Sequence, residues 1–338
     1  MNKGILSVLF GALALGAVSD KFKGSKSRNF RPNSKNWAYI QFSEGIWNFI
    51  GKKHNDLKDI EYLTVHFENP DMSYLKGMKE VSRILPNVKG LEITQTVPDY
   101  INFIGLFPKL EELSMGYCDS FVLNFQQTGT YIPKEITQNK KITKLSLYEC
   151  DFPEFPKELS EMTNLTYLNL SSNYFMFNNR QVAEQSFRRL KKLVNLEHLL
   201  LVRTGLNIIP DEIINLQNLR KLVLNHNEIQ YIPRDIVKMK NLTDLRLSYN
   251  QISNFPDYLC DLINLRRIDI DNTLIKELPN HFGNLTNLVI FNFSDTTLKC
   301  PSRMQAAIWI SQGFSQDILS KIVRRCRDSK STSELRRF

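Results

Sequence analysis

The sequence predicts an α/β solenoid: a right-handed, curved stack with a parallel sheet on its concave side and short turns or helices on its convex side. Three observations predict it. An apolar frame spaced L-x-x-L-x-L recurs from Ile142, Leu165, Leu196, Leu219, Leu242, Leu265 and Leu288, and five of the six steps are 23 residues. Looser copies begin at Leu110, Val88 and Ile60, which makes about ten repeats, seven of them clear. Within a repeat, alternation such as Leu222-Val223-Leu224 sends two leucines inward and the residue between them outward, the signature of a short strand. A proline then follows at a fixed offset (Pro156, Pro210, Pro233, Pro256, Pro279, with Pro133 in an irregular copy) and, lacking a backbone donor, it ends the pairing.

The return path must therefore carry residues such as Ile232 and Ile236 inward as a turn or short helix. One unit of this size cannot bury its apolar face alone, so units stack and each strand pairs with the next. Strands held about 4.8 Å apart beside bulkier return halves curve such a stack, with the sheet on the concave side.

The elements follow in order. Residues 1–19 contain an uncharged run from Gly4 to Ser19, and three readings stay open: a membrane anchor, a signal peptide cut near Ser19, or a buried or disordered segment. Residues 20–35 form a basic linker, and this charge behind the apolar run would hold the repeat domain on the cytoplasmic side of a membrane. Residues 36–59, with Trp37, Tyr39, Phe42, Trp47 and Phe49, form an N-terminal cap, and 60–300 form the solenoid. Residues 301–328 read as a capping helix with Met304, Ala307, Ile308, Ile318, Ile322 and Val323 inward, and 329–338 as a basic tail. Two long steps, from Leu110 and from Leu165, need excursions. The second, with Val182, Phe187, Leu190 and Leu193 near helical spacing, predicts a longer convex helix.

The segments LRKLVLNHNEIQYIPRDI, LTDLRLSYNQISNFPDYL and LTYLNLSSNYF resemble leucine-rich repeats. The period, with its apolar-Pro-x-x-apolar half, is similar to the subclass of Ras-suppressor-like and scribble-like proteins and of many bacterial repeat proteins. The resemblance implies the solenoid and is nearly silent on the biochemical task. It also gives a place to Asn173, Asn227 and Asn250, which fill the turn after the strand. Backbone groups leave the sheet there while still buried, and an amide can both donate to and accept from neighbouring turns. Cys118 and Cys150 fill the same position in earlier copies, a known family alternative, and Thr204, Thr273 and Thr296 replace it elsewhere.

Charge separates the ends from the body. The net charge is +9, but residues 20–35 hold six Lys/Arg against one Asp and residues 321–338 hold seven against two acids, so the body is near neutral. A partner with nucleic-acid chemistry is not indicated, while the basic termini suit an anionic membrane. The five cysteines are odd in number and widely spaced, which fits reduced thiols. A Cys300–Cys326 bridge is the alternative pairing. The five N-x-S/T sequons are a by-product of a repeat rich in N-L-T.

No cofactor is expected. The five histidines, His54, His66, His198, His226 and His281, do not stack with one another or with a cysteine in an outward column, so no metal site is expected. The outward carboxylates Asp244, Asp269 and Asp271 interleave with Arg246, Arg266 and Arg267, which reads as a charged binding face and not as acid–base machinery. The protein is therefore expected to be non-enzymatic and to bind a protein or peptide on its concave face. The candidate contacts are Tyr148, Tyr167, His198, Leu200, Val202, Arg203, Val223, Asn225, His226, Arg246, Tyr249 and Arg267. Alternatives are a structural subunit of a membrane-associated assembly, or a substrate-reading or regulatory subunit of an enzyme.

Overall fold

A computed structural model of the chain describes residues 36–43, 46–52, 57–68, 74–94, 103–116, 131–173, 175 and 186–334. The apolar run at 1–19, Cys118 and the predicted helical stretch at 176–185 lie outside them. Two compact units are present, Met1–Phe152 with Pro156–Asn169, and Pro153–Phe155 with Leu170–Phe338.

In unit 1, strands β1 (Trp37–Ser43) and β2 (Ile46–Lys52) form an antiparallel hairpin, and β1 also runs parallel to β3 (Tyr62–Glu68). The expected cap is thus a hairpin that extends the sheet. After helix α1 (Tyr74–Ile84), strands β4 (Gly90–Thr94) and β5 (Glu112–Gly116) add in parallel. A single helical turn α2 (Lys134–Thr137) precedes β6 (Lys144–Tyr148) and β7 (Tyr167–Asn169). The inward residues of these strands, among them Leu63, Val65, Leu91, Ile93, Leu113, Met115, Leu145 and Leu147, are buried.

Unit 2 repeats the scheme with less variation. Strands β8 (His198–Leu200), β9 (Lys221–Val223), β10 (Asp244–Arg246), β11 (Arg267–Asp269) and β12 (Ile290–Asn292) pair in parallel and in register, so that Leu199, Leu222, Leu245, Ile268 and Phe291 align. The return halves are tighter than an α-helix in all but one repeat. They are 3-10 turns at Arg188–Lys192, Arg234–Lys238, Asp257–Asp261 and Asn280–Asn284, and one α-helical turn, α3 (Asp211–Ile214). In four of the five a proline occupies the cap position, where its fixed φ starts the turn and its missing donor costs nothing. In the fifth, Phe187 stands at the cap position, and Phe187, Leu190 and Leu193 are buried as expected; of the predicted convex helix only residues 186–193 fall among the described residues.

Two ladders of asparagines tie the repeats together. In the inner one, Asn227 Oδ1 accepts from Thr204 N, Thr204 Oγ1 and Leu206 N at 3.0–3.1 Å, and its Nδ2 donates to Leu201 O at 2.7 Å and Leu224 O at 2.9 Å. Asn250 makes the next rung, to Ile229 N and Leu224 O. Asn173 bonds Leu170 O and Cys150 Sγ bonds Tyr148 O, both buried, while Thr204 and Thr273 donate to the carbonyl three residues back and Thr204 also joins the Asn227 rung. The outer ladder was not anticipated. Nδ2 of Asn218, Asn241, Asn264 and Asn287 donates in turn to the carbonyl of Val194, Gln217, Lys240 and Ile263, at 2.8–2.9 Å, at the exposed turn before each strand. The tie belongs to the recurring Asn-Leu pair that opens each frame, and of these four asparagines Asn241 alone lies in an N-L-T sequon.

The C-terminal cap departs from the expected single helix. Gly313, at φ +88°, breaks it into α4 (Arg303–Ser311) and α5 (Gln316–Glu334). Met304 is 75% exposed and Ala307 is exposed, against expectation, while Trp309, Phe314, Ile318, Leu319 and Ile322 are buried. Trp309 and Phe314 close the stack by packing on Phe282, with ring centroids 5.3 and 5.2 Å away. The break turns a different set of side chains inward than unbroken helical spacing selects.

Leu222 is fully buried, so Leu222→Ala is expected to cost about 2–5 kcal/mol in urea denaturation. Asn227→Ala strands several buried polar groups, each worth about 1–3 kcal/mol, and should destabilise more than Asn241→Ala, which loses one exposed bond worth about 0.5–1.5 kcal/mol.

Candidate functional site

The outward side chains of unit 2 form rows across the five strands, because the strands are in register. The first row reads His198, Lys221, Asp244, Arg267, Ile290, and the second Leu200, Val223, Arg246, Asp269, Asn292. The charged members pair within the face. Asp244 accepts both Nε and Nη2 of Arg246 at 2.9 and 2.8 Å. Asp269 accepts Nη2 of Arg267 at 2.7 Å and Nδ2 of Asn292 at 2.8 Å, with Arg246 Nε at 3.7 Å. Lys221 has only Asp244, at 3.8 Å. Burial pushes the Lys221 ammonium below its ordinary pKa, and the Arg246 guanidinium adds to this. Arg246 is held above its usual value, first by its hydrogen bond to Asp244.

Leu200 and Val202 are half-buried beside this ribbon. Val223, expected to be outward and free, is only 6% exposed, because its strand lies between neighbours whose longer side chains cover it. It is therefore floor, and not a direct contact.

A third row does hidden structural work. Ser171 Oγ accepts from Val202 N, Asn225 Oδ1 from Ser248 N, and Asp271 Oδ1 from Ser294 N, each one repeat on. Asn225, expected as a free contact, is thus partly engaged by the fold.

The residue just before each ladder position adopts a left-handed backbone: Ser172, Arg203, His226, Tyr249, Asn272 and Asp295 in unit 2, at φ of 52–58°. Among the described residues this recurs in successive repeats of unit 2, so it belongs to the fold. Asn272, Asp295 and His226 are of the types that adopt the conformation most readily, while Arg203 and Tyr249 are costlier choices. His226 and Tyr249 stack face to face, with centroids 4.1 Å apart and planes at 10°, and Tyr249 is 48% exposed. Burial, and then the Arg203 guanidinium, lower the His226 pKa.

Unit 1 presents a different surface. Tyr62, Glu112, Lys144 and Tyr167 share one row, and Tyr39, Glu92, Ser114 and Ser146 the next. Lys144 pairs with Glu112 at 2.5 Å and Thr64 donates to Glu92 at 3.1 Å. Burial, with Glu112 nearby, pushes the Tyr167 hydroxyl up to about 12. Tyr148 lies over Gly116, where a Cβ would meet its ring at 2.2 Å. Of the predicted contacts, Tyr148 and Tyr167 thus lie on the sheet face of unit 1, and the others, Tyr249 among them, lie in unit 2.

Residues 194–252 match the leucine-rich-repeat family. The fold is similar to that of a leucine-rich-repeat protein of Leptospira interrogans, with a TM-score of 0.52 at 22% identity over 76% of this chain and 64% of that one. Weaker similarity extends to two further structures. One is the ectodomain of the receptor kinase GASSHO1/SCHENGEN3 of Arabidopsis thaliana, solved with CASPARIAN STRIP INTEGRITY FACTOR 2 (TM-score 0.48, 16% identity, 76% of this chain and 32% of that one). The other is the internalin InlF of Listeria monocytogenes (0.46, 16%, 76% and 73%). The chain spans 64% and 32% of the first two, and at these identities the likeness concerns fold alone. No curated protein sequence matches. The repeats are leucine-rich repeats in an α/β solenoid, a fold that serves in general as a protein-interaction scaffold.

Two outcomes follow from the titrations. Cys260 is buried with its thiol pushed up to about 12, and Cys150 is buried too, so in the native protein a thiol reagent should label Cys300 and spare both. Because the folded pKa of His226 lies below the ordinary 6.5, the unfolded chain takes up a proton first, and stability falls as pH drops from about 6.5 through the folded value. The urea midpoint of His226→Gln should fall less than that of the natural protein over this window.

Proposed function

We propose that this protein is a non-enzymatic interaction scaffold that binds a protein or peptide segment on its concave sheet face, centred in unit 2 on Leu200, Val202, His226 and Tyr249. The observation that carries the reading is Tyr249. A large aromatic ring stands half-exposed, stacked on His226, at a left-handed position where Asn272 and Asp295 fill the equivalent places at lower cost. Packing does not require that ring. A rigid aromatic beside aliphatic and arginine side chains is the composition from which binding hot spots are made. The ion pairs among Asp244, Arg246, Arg267 and Asp269 favour binding over catalysis, since each carboxylate is already engaged by a guanidinium.

The basic ends supply a second element of the reading, attachment to an anionic membrane at about 1 kcal/mol for each Lys or Arg near the surface. Binding partners captured by the natural protein should be released by Tyr249→Ala and by Leu200→Asp, with losses of roughly tenfold or more in affinity by calorimetry. Both variants should keep the wild-type melting profile to within about 1 kcal/mol of stability, because both side chains are partly exposed. A stoichiometric complex unaffected by either substitution would point instead to the caps or termini as the contact surface.

A further inference from the structure

Across the two strand rows of unit 2 the charges pair unevenly, while Asp271 and Asp295 on the rows beyond them bring the face as a whole near balance. Two carboxylates, Asp244 and Asp269, face three cations, Lys221, Arg246 and Arg267. The guanidinium forks use both carboxylates: Arg246 occupies the two oxygens of Asp244, and Arg267 with Asn292 occupies those of Asp269. Lys221 is left with one carboxylate oxygen at 3.8 Å, beyond hydrogen-bond length, while its side chain keeps 30% of its exposure. Arg203 is exposed, and no carboxylate of the described residues pairs with it. Both lie near the apolar part of the face: Lys221 pairs with His198 and lies diagonally from Leu200, whose own partner is Val223, and Arg203 directly follows Val202. Arg203 is also close enough to the His226–Tyr249 stack to act on the imidazole.

We infer that this face selects an acidic segment, one that presents an Asp or Glu carboxylate to Lys221 or Arg203 on the same side as an aliphatic or aromatic residue that covers Leu200, Val202 and Tyr249. The inference rests on the concave-face reading and adds the chemistry of its occupant. Its basis is charge complementarity. A half-buried ammonium whose one counter-ion lies beyond hydrogen-bond length can take a closer carboxylate, and the adjoining apolar surface excludes water from the pair. A basic segment would meet the same two cations without compensation and would be rejected.

The experiment uses the full chain and a random peptide library displayed on phage. Peptides that bind the natural protein should be enriched in Asp and Glu relative to Lys and Arg. Synthetic copies with each Asp or Glu replaced by Asn or Gln should bind about tenfold more weakly. Affinity for the acidic copies should fall with added salt. Lys221→Met and Arg203→Gln together should abolish the difference between acidic and amide copies, while Lys221→Arg retains it. The retained charge separates recognition from a packing effect. Peptides released by Leu200→Asp or Tyr249→Ala but indifferent to the acid-to-amide exchange would overturn the charge assignment and leave the scaffold reading standing. Binding that survives Leu200→Asp and Tyr249→Ala, or the absence of any peptide those variants release, would overturn both.

Discussion

The constraint on which the rest depends is the exact return of the chain to the same place every repeat. Strands of three residues have too few backbone bonds to hold a sheet alone, so the register is enforced on both flanks. Inside, Asn227 and Asn250 join the end of one strand to the turn of its neighbour. Outside, Asn218, Asn241, Asn264 and Asn287 do the same ahead of the strands. Between them the leucines at Leu199, Leu222 and Leu245 stack at one level. Because a slip of one residue would turn each buried leucine outward, the two asparagine ladders and the apolar pattern enforce the same register.

The face follows from that register. Identical backbone positions in successive repeats become rows, so residues 23 apart in the chain become lateral neighbours. Asp244 and Arg267, or His226 and Tyr249, meet for this reason alone. Row position also determines freedom. The row holding Asn225 and Asp271 is drawn into backbone bonding, and the left-handed position beyond it is free to vary. Variation at a strained position is informative in a way that variation at a relaxed one is not, because a tyrosine there costs the fold something that an asparagine does not.

Most of the stack was legible in the sequence, because a period repeated this often leaves one register for strands, prolines and ladder residues. Asn227, Asn250 and Cys150 stand buried in the turn to which the pattern assigned them. The failures have local causes. Val223 alternates as an outward residue should, but alternation specifies direction and not cover. The C-terminal helix carries a continuous apolar pattern, and Gly313 at positive φ breaks it, so that Trp309 and Phe314 turn inward in place of Met304 and Ala307. The outer ladder was hidden because an exposed asparagine before a strand is a common turn residue and does not name the carbonyl it reaches one repeat away. The left-handed positions were hidden because tyrosine and arginine give no composition cue for them. The partition of the predicted contacts between two units has no sequence mark, since the same repeat continues through both.

Net charge illustrates how a sum can mislead about a surface. The value of +9 belongs mainly to the ends, and the body is close to neutral, yet neutrality of the body does not make its face neutral. On unit 2 the guanidiniums are bound to carboxylates and contribute orientation more than free charge, while Lys221 and Arg203 retain theirs. On unit 1 the corresponding rows hold Glu92 and Glu112 among tyrosines, with Lys144 paired to Glu112 and Thr64 bonded to Glu92. Two stretches of one repeat pattern, identical in what they bury, thus differ in what they present. The burial sets the fold, and the few outward positions that the fold leaves unassigned set what the protein can recognise.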